Sequence, residues 1–123
     1  MSLHLSLKEK IESQYAAQLE GETVLKQDAL LVYFDDGLML EIRYLNPDEY
    51  VIGWSWGEAV LRVDTAPLHP DLKTFPNHLH DAEGVIRADP FTLPGREPWD
   101  NVRILLDALL KDPLAQAQAI ILP

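Results

Sequence analysis

Residues 29–64 consist of four short segments rich in apolar residues, joined by very tight links. The segments are 29–34, 38–44, 50–56 and 58–64, and in the last three apolar side chains recur at every second position. The links contain residues typical of turns, namely Asp35-Asp36-Gly37, Asn46-Pro47-Asp48-Glu49 and Gly57. Parallel neighbours need a crossover of about a dozen residues or more, which these links cannot supply. The sequence therefore predicts a four-stranded antiparallel β-meander.

A helix is predicted before the meander. Ser6 and Glu9 have the spacing of a capping box, with Ser6 as the N-cap. Apolar residues then follow at steps of four, at Leu7, Ile11, Tyr15 and Leu19. Gly21 supplies a C-terminal stop, so the spacing predicts a helix over 7–20.

A second helix is predicted near the C-terminus, over 97–111. Its apolar residues have helical spacing and are Trp99, Val102, Leu105, Leu106, Leu109 and Leu110. Asp112-Pro113 resembles the N-cap and first position of another helix. The tail 113–123 is accordingly interpreted as a short helix or an end that binds a partner.

The connection between the meander and this second helix is long and rich in proline and histidine. It runs over 65–98, and only 85–88 has the composition of a short edge strand. Loops of this length are often functional. The predicted fold class is α+β, as one domain over 1–123: an N-terminal helix, a four-stranded antiparallel β-meander, a long Pro/His-rich loop and a C-terminal helix or helices.

Charge and composition limit the classes of partner and site. The formal net charge is −10, and an acidic surface disfavours general DNA binding. There is no cysteine, which excludes thiolate metal sites and thiol nucleophiles. The N-terminus lacks a secretory pattern and no stretch is apolar enough to span a bilayer, so a cytoplasmic protein without a membrane partner is expected.

The densest group of polar residues lies between residues 62 and 80. Arg62 and Asp64 are two positions apart on a predicted strand and so point to the same face, opposite Leu61 and Val63. The proline-rich loop then carries three of the four histidines. The candidate catalytic residues are Arg62, Asp64, His69, His78 and His80.

Three interpretations of this group remain open. His69, His78 and His80 could hold a divalent metal ion, although their spacing matches no established zinc signature and no cofactor is expected. Acid–base chemistry is a second interpretation, in which Asp64 orients an imidazole and Arg62 holds an anion. In the third, these side chains only order the loop.

The segment 61–70, Leu-Arg-Val-Asp-Thr-Ala-Pro-Leu-His-Pro, and the segment 74–80, Thr-Phe-Pro-Asn-His-Leu-His, resemble the hallmark region of the TumE family of prokaryotic toxin–antitoxin systems. The positions shared with that family are Arg62, Asp64, His69, His78 and His80. Thr65 stands where the family pattern has asparagine, and Leu68 and Asn77 stand where it has histidines. The resemblance implies a toxin component with a cognate antitoxin as its partner, and it names no target or reaction.

Three functional hypotheses follow. The first is a toxin that acts on nucleic acid or the translation machinery, as a nuclease-like enzyme. The second is a non-catalytic protein-interaction domain, for which a homodimer is one arrangement, and the charge of −10 favours it. The third is a small-molecule enzyme that uses the arginine, aspartate and histidine residues. A chemical site requires the three loop histidines to converge near Arg62.

Overall fold

Seven antiparallel strands follow one another in chain order across a single sheet. The structure, a computed structural model, describes residues 2–117. The strands are β1 (Val24–Lys26), β2 (Ala29–Tyr33), β3 (Met39–Asn46), β4 (Glu49–Trp56), β5 (Ala59–Asp64), β6 (His78–His80) and β7 (Ile86–Ala88). Helix α1 (Leu3–Gln14) precedes them and helix α2 (Pro98–Lys111) follows. The α+β class and the antiparallel meander over β2 to β5 are confirmed.

The prediction of four strands understates the sheet, which has seven. Strand β1 has three exposed residues, so it shows no alternation of apolar and polar positions. Strand β6 places polar His78 and His80 around a single apolar residue, Leu79, so the sequence predicts a loop at this position. Strand β7 agrees with the predicted edge strand at 85–88 to within one residue.

One face of the sheet and both helices share a single buried core. From the sheet, the core takes the residues at every second position, including Leu40, Ile42, Ile52, Trp54, Leu61, Val63 and Leu79. Leu7 and Ile11 of α1 and Leu105 and Leu109 of α2 belong to the same cluster. Within residues 2–117, no helix is long and apolar enough to cross a membrane. The opposite face of β5 and β6 is left for polar side chains.

The first helix begins and ends earlier than its apolar spacing predicts. The Oγ of Ser2, rather than Ser6, caps α1 by accepting the backbone N–H of Leu5 at 3.0 Å. The helix ends at Gln14, well before Gly21, because the following segment pairs with the end of β2. Leu19 forms an isolated bridge with Phe34 in this pairing, so the predicted stop at Gly21 was wrong.

The second helix matches its prediction, but no further helix starts at Asp112-Pro113. The Asp112 backbone N–H still bonds Ala108 of α2, so this residue ends that helix, and helical conformation resumes only at Gln116, where the Asp112 carboxylate accepts the N–H of Ala117 at 2.9 Å. The carbonyl of Pro113 accepts the indole N–H of Trp54 at 2.8 Å, which holds this turn against the sheet. The remainder of the predicted tail at 113–123 lies, beyond residue 117, outside the described residues.

A buried polar network orders the connection between β5 and α2. The Asp89 carboxylate accepts the backbone N–H groups of Phe91 (2.7 Å) and Thr92 (3.1 Å) and the amide of Asn77 (3.0 Å). The hydroxyl of Tyr50 on β4 donates to Thr92 at 2.7 Å. The network therefore anchors the chain on both sides of β6 and β7 to the centre of the sheet.

We expect Asp89→Ala to lower the free energy of unfolding by at least about 2 kcal/mol, because it leaves buried N–H donors without their acceptor. Chemical denaturation would measure this change. Asp35→Ala, at an exposed turn position, is the control and should be close to neutral. Equal stabilities of the two variants would contradict the structural role of the network.

The fourth histidine, His4, lies in α1 and its Nε2 accepts the backbone N–H of Tyr44 at 3.1 Å. Burial lowers the pKa of His4, although the Asp28 carboxylate acts in the opposite direction. The neutral form is therefore favoured by folding. This stabilisation is present above the unfolded pKa of about 6.5 and is lost as the pH falls through the lower folded pKa.

We therefore expect the fall in unfolding free energy from pH 7.5 to pH 5 to be smaller in His4→Leu than in the wild type. Urea denaturation at several pH values gives both slopes. The variant is also less stable at pH 7.5, since Tyr44 loses its acceptor. Parallel pH profiles for the two proteins would show that His4 is not responsible for this dependence.

Candidate functional site

The pairing of β5 with β6 brings the predicted polar residues together. Arg62 lies directly opposite His80, and Asp64 lies directly opposite His78. All four side chains therefore share the outer face of the sheet, while Val63 and its partner Leu79 point into the core. The predicted common face of Arg62 and Asp64 thus also carries two of the three loop histidines.

At the centre of this face, one carboxylate and two imidazoles are in direct contact. The Nε2 atom of His78 lies 3.0 Å from Asp64 Oδ1, and the Nε2 atom of His80 lies 3.4 Å from Asp64 Oδ2. The two Nε2 atoms are 3.0 Å apart. We call Asp64, His78 and His80 the histidine–aspartate cluster.

Neighbouring groups hold each member of the cluster in place. The carbonyl oxygen of Pro76 lies 3.1 Å from His78 Nδ1. The backbone N–H of Ala66 donates to Asp64 Oδ1 at 3.0 Å, and Arg62 Nε donates to Asp64 Oδ2 at 2.8 Å. The orientations of the carboxylate and of the His78 ring are therefore set by hydrogen bonds from outside the cluster.

The cluster is open to solvent on one side. The side chains of His78 and Asp64 are 1% and 6% exposed, whereas His80 is 21% and Arg62 50% exposed. A substrate arriving from solvent would first meet Arg62 and His80. Asp64 and His78, which are buried, would then lie beneath these two side chains.

His69 approaches the cluster without joining it. Its ring centroid is 4.7 Å from that of His78, with an angle of 74° between the ring planes. Among the described residues, the group whose ligand atoms lie within 4.8 Å of one another is Asp64, His78 and His80. Two of the three loop histidines therefore converge at ligand distance, and the third packs edge-on beside them.

The protonation states follow from these contacts. Burial alone would raise the pKa of Asp64, but hydrogen bonds from Arg62 and Ala66, together with His78, hold that pKa below its usual range. Burial lowers the pKa of the His80 imidazole and the Arg62 guanidinium lowers it further, against the opposing effect of Asp64. At neutral pH the site therefore combines an ionised carboxylate with a neutral imidazole at His80.

The three positions that depart from the TumE pattern all lie outside the cluster. Asn77 is 1% exposed and bonds Asp89, on the opposite side of the strand from His78. Leu68 is 71% exposed, and Thr65 Oγ1 accepts the backbone N–H of Tyr50 at 3.0 Å. None of these residues contributes a ligand atom to the cluster. The three differences from the family pattern therefore leave the polar groups of the cluster unchanged.

Sequence reasoning missed the backbone groups of the site, the Pro76 carbonyl and the Ala66 N–H, because any residue type carries them. It also missed that His78 is buried, since a histidine with Asn77 before it and Leu79 after it in a proline-rich segment carries no burial signal. Chemically, two imidazoles and a carboxylate can transfer a proton or hold a divalent ion, and the adjacent guanidinium can bind an oxyanion.

Comparison with known proteins gives one match. A family model described as Toxin TumE matches residues 4–116, which is nearly the whole chain and includes every residue of the cluster. No curated protein and no solved structure is significantly similar to the chain.

We expect the members of the site to differ in their contribution to stability. Arg62→Ala should lower the free energy of unfolding by about 1 kcal/mol, since the Arg62 side chain is half exposed and the buried Asp64 carboxylate keeps its contacts with Ala66 and His78. His78→Ala should cost about 2–3 kcal/mol, because it empties a buried position and removes a partner of a buried carboxylate. Equilibrium denaturation gives both values, and a larger loss for Arg62→Ala than for His78→Ala would contradict the described burial.

Proposed function

The chain belongs to the TumE family of toxins, and on that premise we propose that it is the toxin component of a toxin–antitoxin system that acts chemically through the histidine–aspartate cluster. The observation that carries the proposal is the contact of two imidazole nitrogens, 3.0 Å apart, with one buried carboxylate. The cluster lies within the region that the family model matches.

The burial of these groups favours a chemical role over a structural one. Taking a carboxylate out of water carries a free-energy cost, and apolar residues of similar volume would stabilise the same position of the sheet at least as well. Strand β5 already contributes Leu61 and Val63 to the core on its other face. The pair of imidazoles distinguishes this site from the buried structural network around Asp89, because general acid–base catalysis requires such groups held in a fixed geometry.

The exposed edge of the site indicates the class of substrate. Arg62 bonds Asp64 through Nε and is half exposed, so its positive charge lies at the surface beside His80. A guanidinium binds phosphate oxygens in a planar, bidentate manner. We propose a phosphodiester of RNA as the substrate, held locally by Arg62, because the net charge of −10 opposes binding along an extended backbone.

The same charge suits the partner that the family implies. A cognate antitoxin with a basic surface would be attracted to this chain, and that attraction would increase the rate of association. An antitoxin that covers Arg62 and His80 would cover the two most exposed side chains of the site.

We expect expression of the wild-type protein to arrest growth of a bacterial host, and His80→Ala and Arg62→Ala to abolish the arrest. General acid–base groups contribute roughly 10²–10⁴-fold to rate, so the loss of His80 should reduce activity at least about 100-fold. Leu68→Ala, at an exposed position of the neighbouring loop, is the matched control and should remain toxic. Soluble levels and melting temperatures are compared for all four proteins.

Total RNA from the arrested cells provides the second measurement. Cleaved RNA with the wild type and Leu68→Ala, and intact RNA with the two site variants, would support the proposal. Growth arrest with intact RNA would reject RNA as the substrate. Equal growth with all four proteins would instead favour the non-catalytic interaction domain, and equal toxicity would place the toxic activity away from the cluster.

A further inference from the structure

The Nε2 atoms of the two histidines and the two carboxylate oxygens of Asp64 have separations close to those of ligands around one small cation. Bond lengths of about 2.0–2.2 Å from zinc to nitrogen or oxygen place the ligands of a tetrahedral ion about 3.3 Å apart. The measured separations are 3.0 Å from His78 Nε2 to Asp64 Oδ1, 3.0 Å between the two Nε2 atoms and 3.4 Å from His80 Nε2 to Asp64 Oδ2. One ion therefore fits between the three side chains with little movement.

Hydrogen-bond accounting points to the same position. The Pro76 carbonyl can only accept, so its 3.1 Å contact requires the hydrogen of His78 to be on Nδ1. The other ring nitrogen of His78, Nε2, lies 3.0 Å from Asp64 Oδ1 and 3.0 Å from His80 Nε2, so the contact with Pro76 aims this nitrogen at the other two members of the cluster.

The surrounding contacts match those that support metal ligands in proteins. Histidine ligands usually donate their second ring N–H to a carbonyl or carboxylate, as His78 Nδ1 does to Pro76. Ligating carboxylates are themselves hydrogen-bonded, as Asp64 is by Ala66 on Oδ1 and by Arg62 on Oδ2. These bonds orient the ligand atoms before any ion binds.

We propose that Asp64, His78 and His80 bind one divalent transition-metal ion of the zinc class. Two imidazoles and a carboxylate suit such an ion, whereas magnesium and calcium prefer oxygen ligands alone. Three protein ligands leave a coordination position for water, which is the arrangement of catalytic rather than structural zinc sites. That position faces solvent at the edge formed by His80 and Arg62.

The inference deepens the proposed function, and it rests on that proposal for what the ion does. With an ion bound, His80 would serve as a ligand, and the ion would supply the base by lowering the pKa of a bound water molecule. Arg62 would still bind the phosphate oxygen. Metal binding by the purified protein can be measured whether or not the protein is toxic.

The test uses the full chain without an affinity tag, treated with a chelator and dialysed. Calorimetric titration with zinc chloride, with elemental analysis of the dialysed complex, should give one zinc ion per chain. Cobalt(II) bound in the same place should show the visible absorption of a low-coordinate site. His80→Ala and Asp64→Asn should weaken binding at least about 100-fold, because each removes a direct ligand.

His69→Ala is the matched control, since this neighbouring histidine lies outside the ligand set and should leave the affinity and the cobalt spectrum unchanged. His80→Ala is chosen over His78→Ala because His80 is partly exposed and the variant should fold. Absence of zinc binding by the wild type would overturn the proposal, and the contact between Asp64 and His78 would then belong to a protonated imidazole. Equal affinity of wild type and His80→Ala would also overturn it.

Failure of this inference and failure of the proposed function are distinguishable. Growth arrest that depends on His80, without zinc binding, rejects the metal and keeps the chemical toxin. Zinc binding that depends on His80, without growth arrest, keeps the metal site and rejects the toxin.

Discussion

The register between β5 and β6 is the constraint on which the site depends. Val63 faces Leu79 in the core, so Arg62, Asp64, His78 and His80 must all lie on the other face. A shift of one residue would move His78 and His80 into the core and Leu79 to the surface. Burial of Val63 and Leu79 therefore determines which face of the sheet the polar side chains occupy. A register that exposed these two apolar residues would also separate the polar groups from solvent.

The buried network around Asp89 supports that register from the core side. Asn77 immediately precedes β6, and its side chain bonds both Asp89 and the carbonyl of Thr92. Thr92 in turn accepts from Tyr50 on β4. Because neighbouring side chains point to opposite faces, anchoring Asn77 on one side holds His78 on the other. The network and the cluster thus lie on opposite faces of one segment.

The charge of the chain as a whole differs in sign from the charge at the edge of the site. The overall charge of −10 repels polyanions, yet Arg62 provides a local positive charge next to the one exposed member of the cluster. An oxyanion would therefore be held at a point instead of along a groove. In the proposed function, the whole acidic surface would attract a basic antitoxin, and Arg62 alone would attract the substrate.

The sequence alone determined the class of the fold and most members of the site. Tight turns at Asp36-Gly37 and Gly57 left the central strands no pairing other than antiparallel, and the period of two placed Arg62 and Asp64 on one face. Strands β1 and β6 escaped prediction because three residues are too few to show a period. The early end of α1 was also not predicted. The spacing of apolar residues favours a helix through Leu19, but Leu19 pairs with Phe34 instead of continuing the helix.

Only the tertiary structure decided which histidines meet Asp64. A long connection separates β5 from β6, and local sequence carries no information about where the chain returns. The position of β6 beside β5 is set by the burial of Leu79 against residues distant in the sequence and by the hydrogen bonds of Asn77. These contacts exist only once the sheet has formed. His69 and His78 look alike in the sequence, yet one packs at the edge of the cluster and the other lies at its centre, because the β-ladder includes only the second.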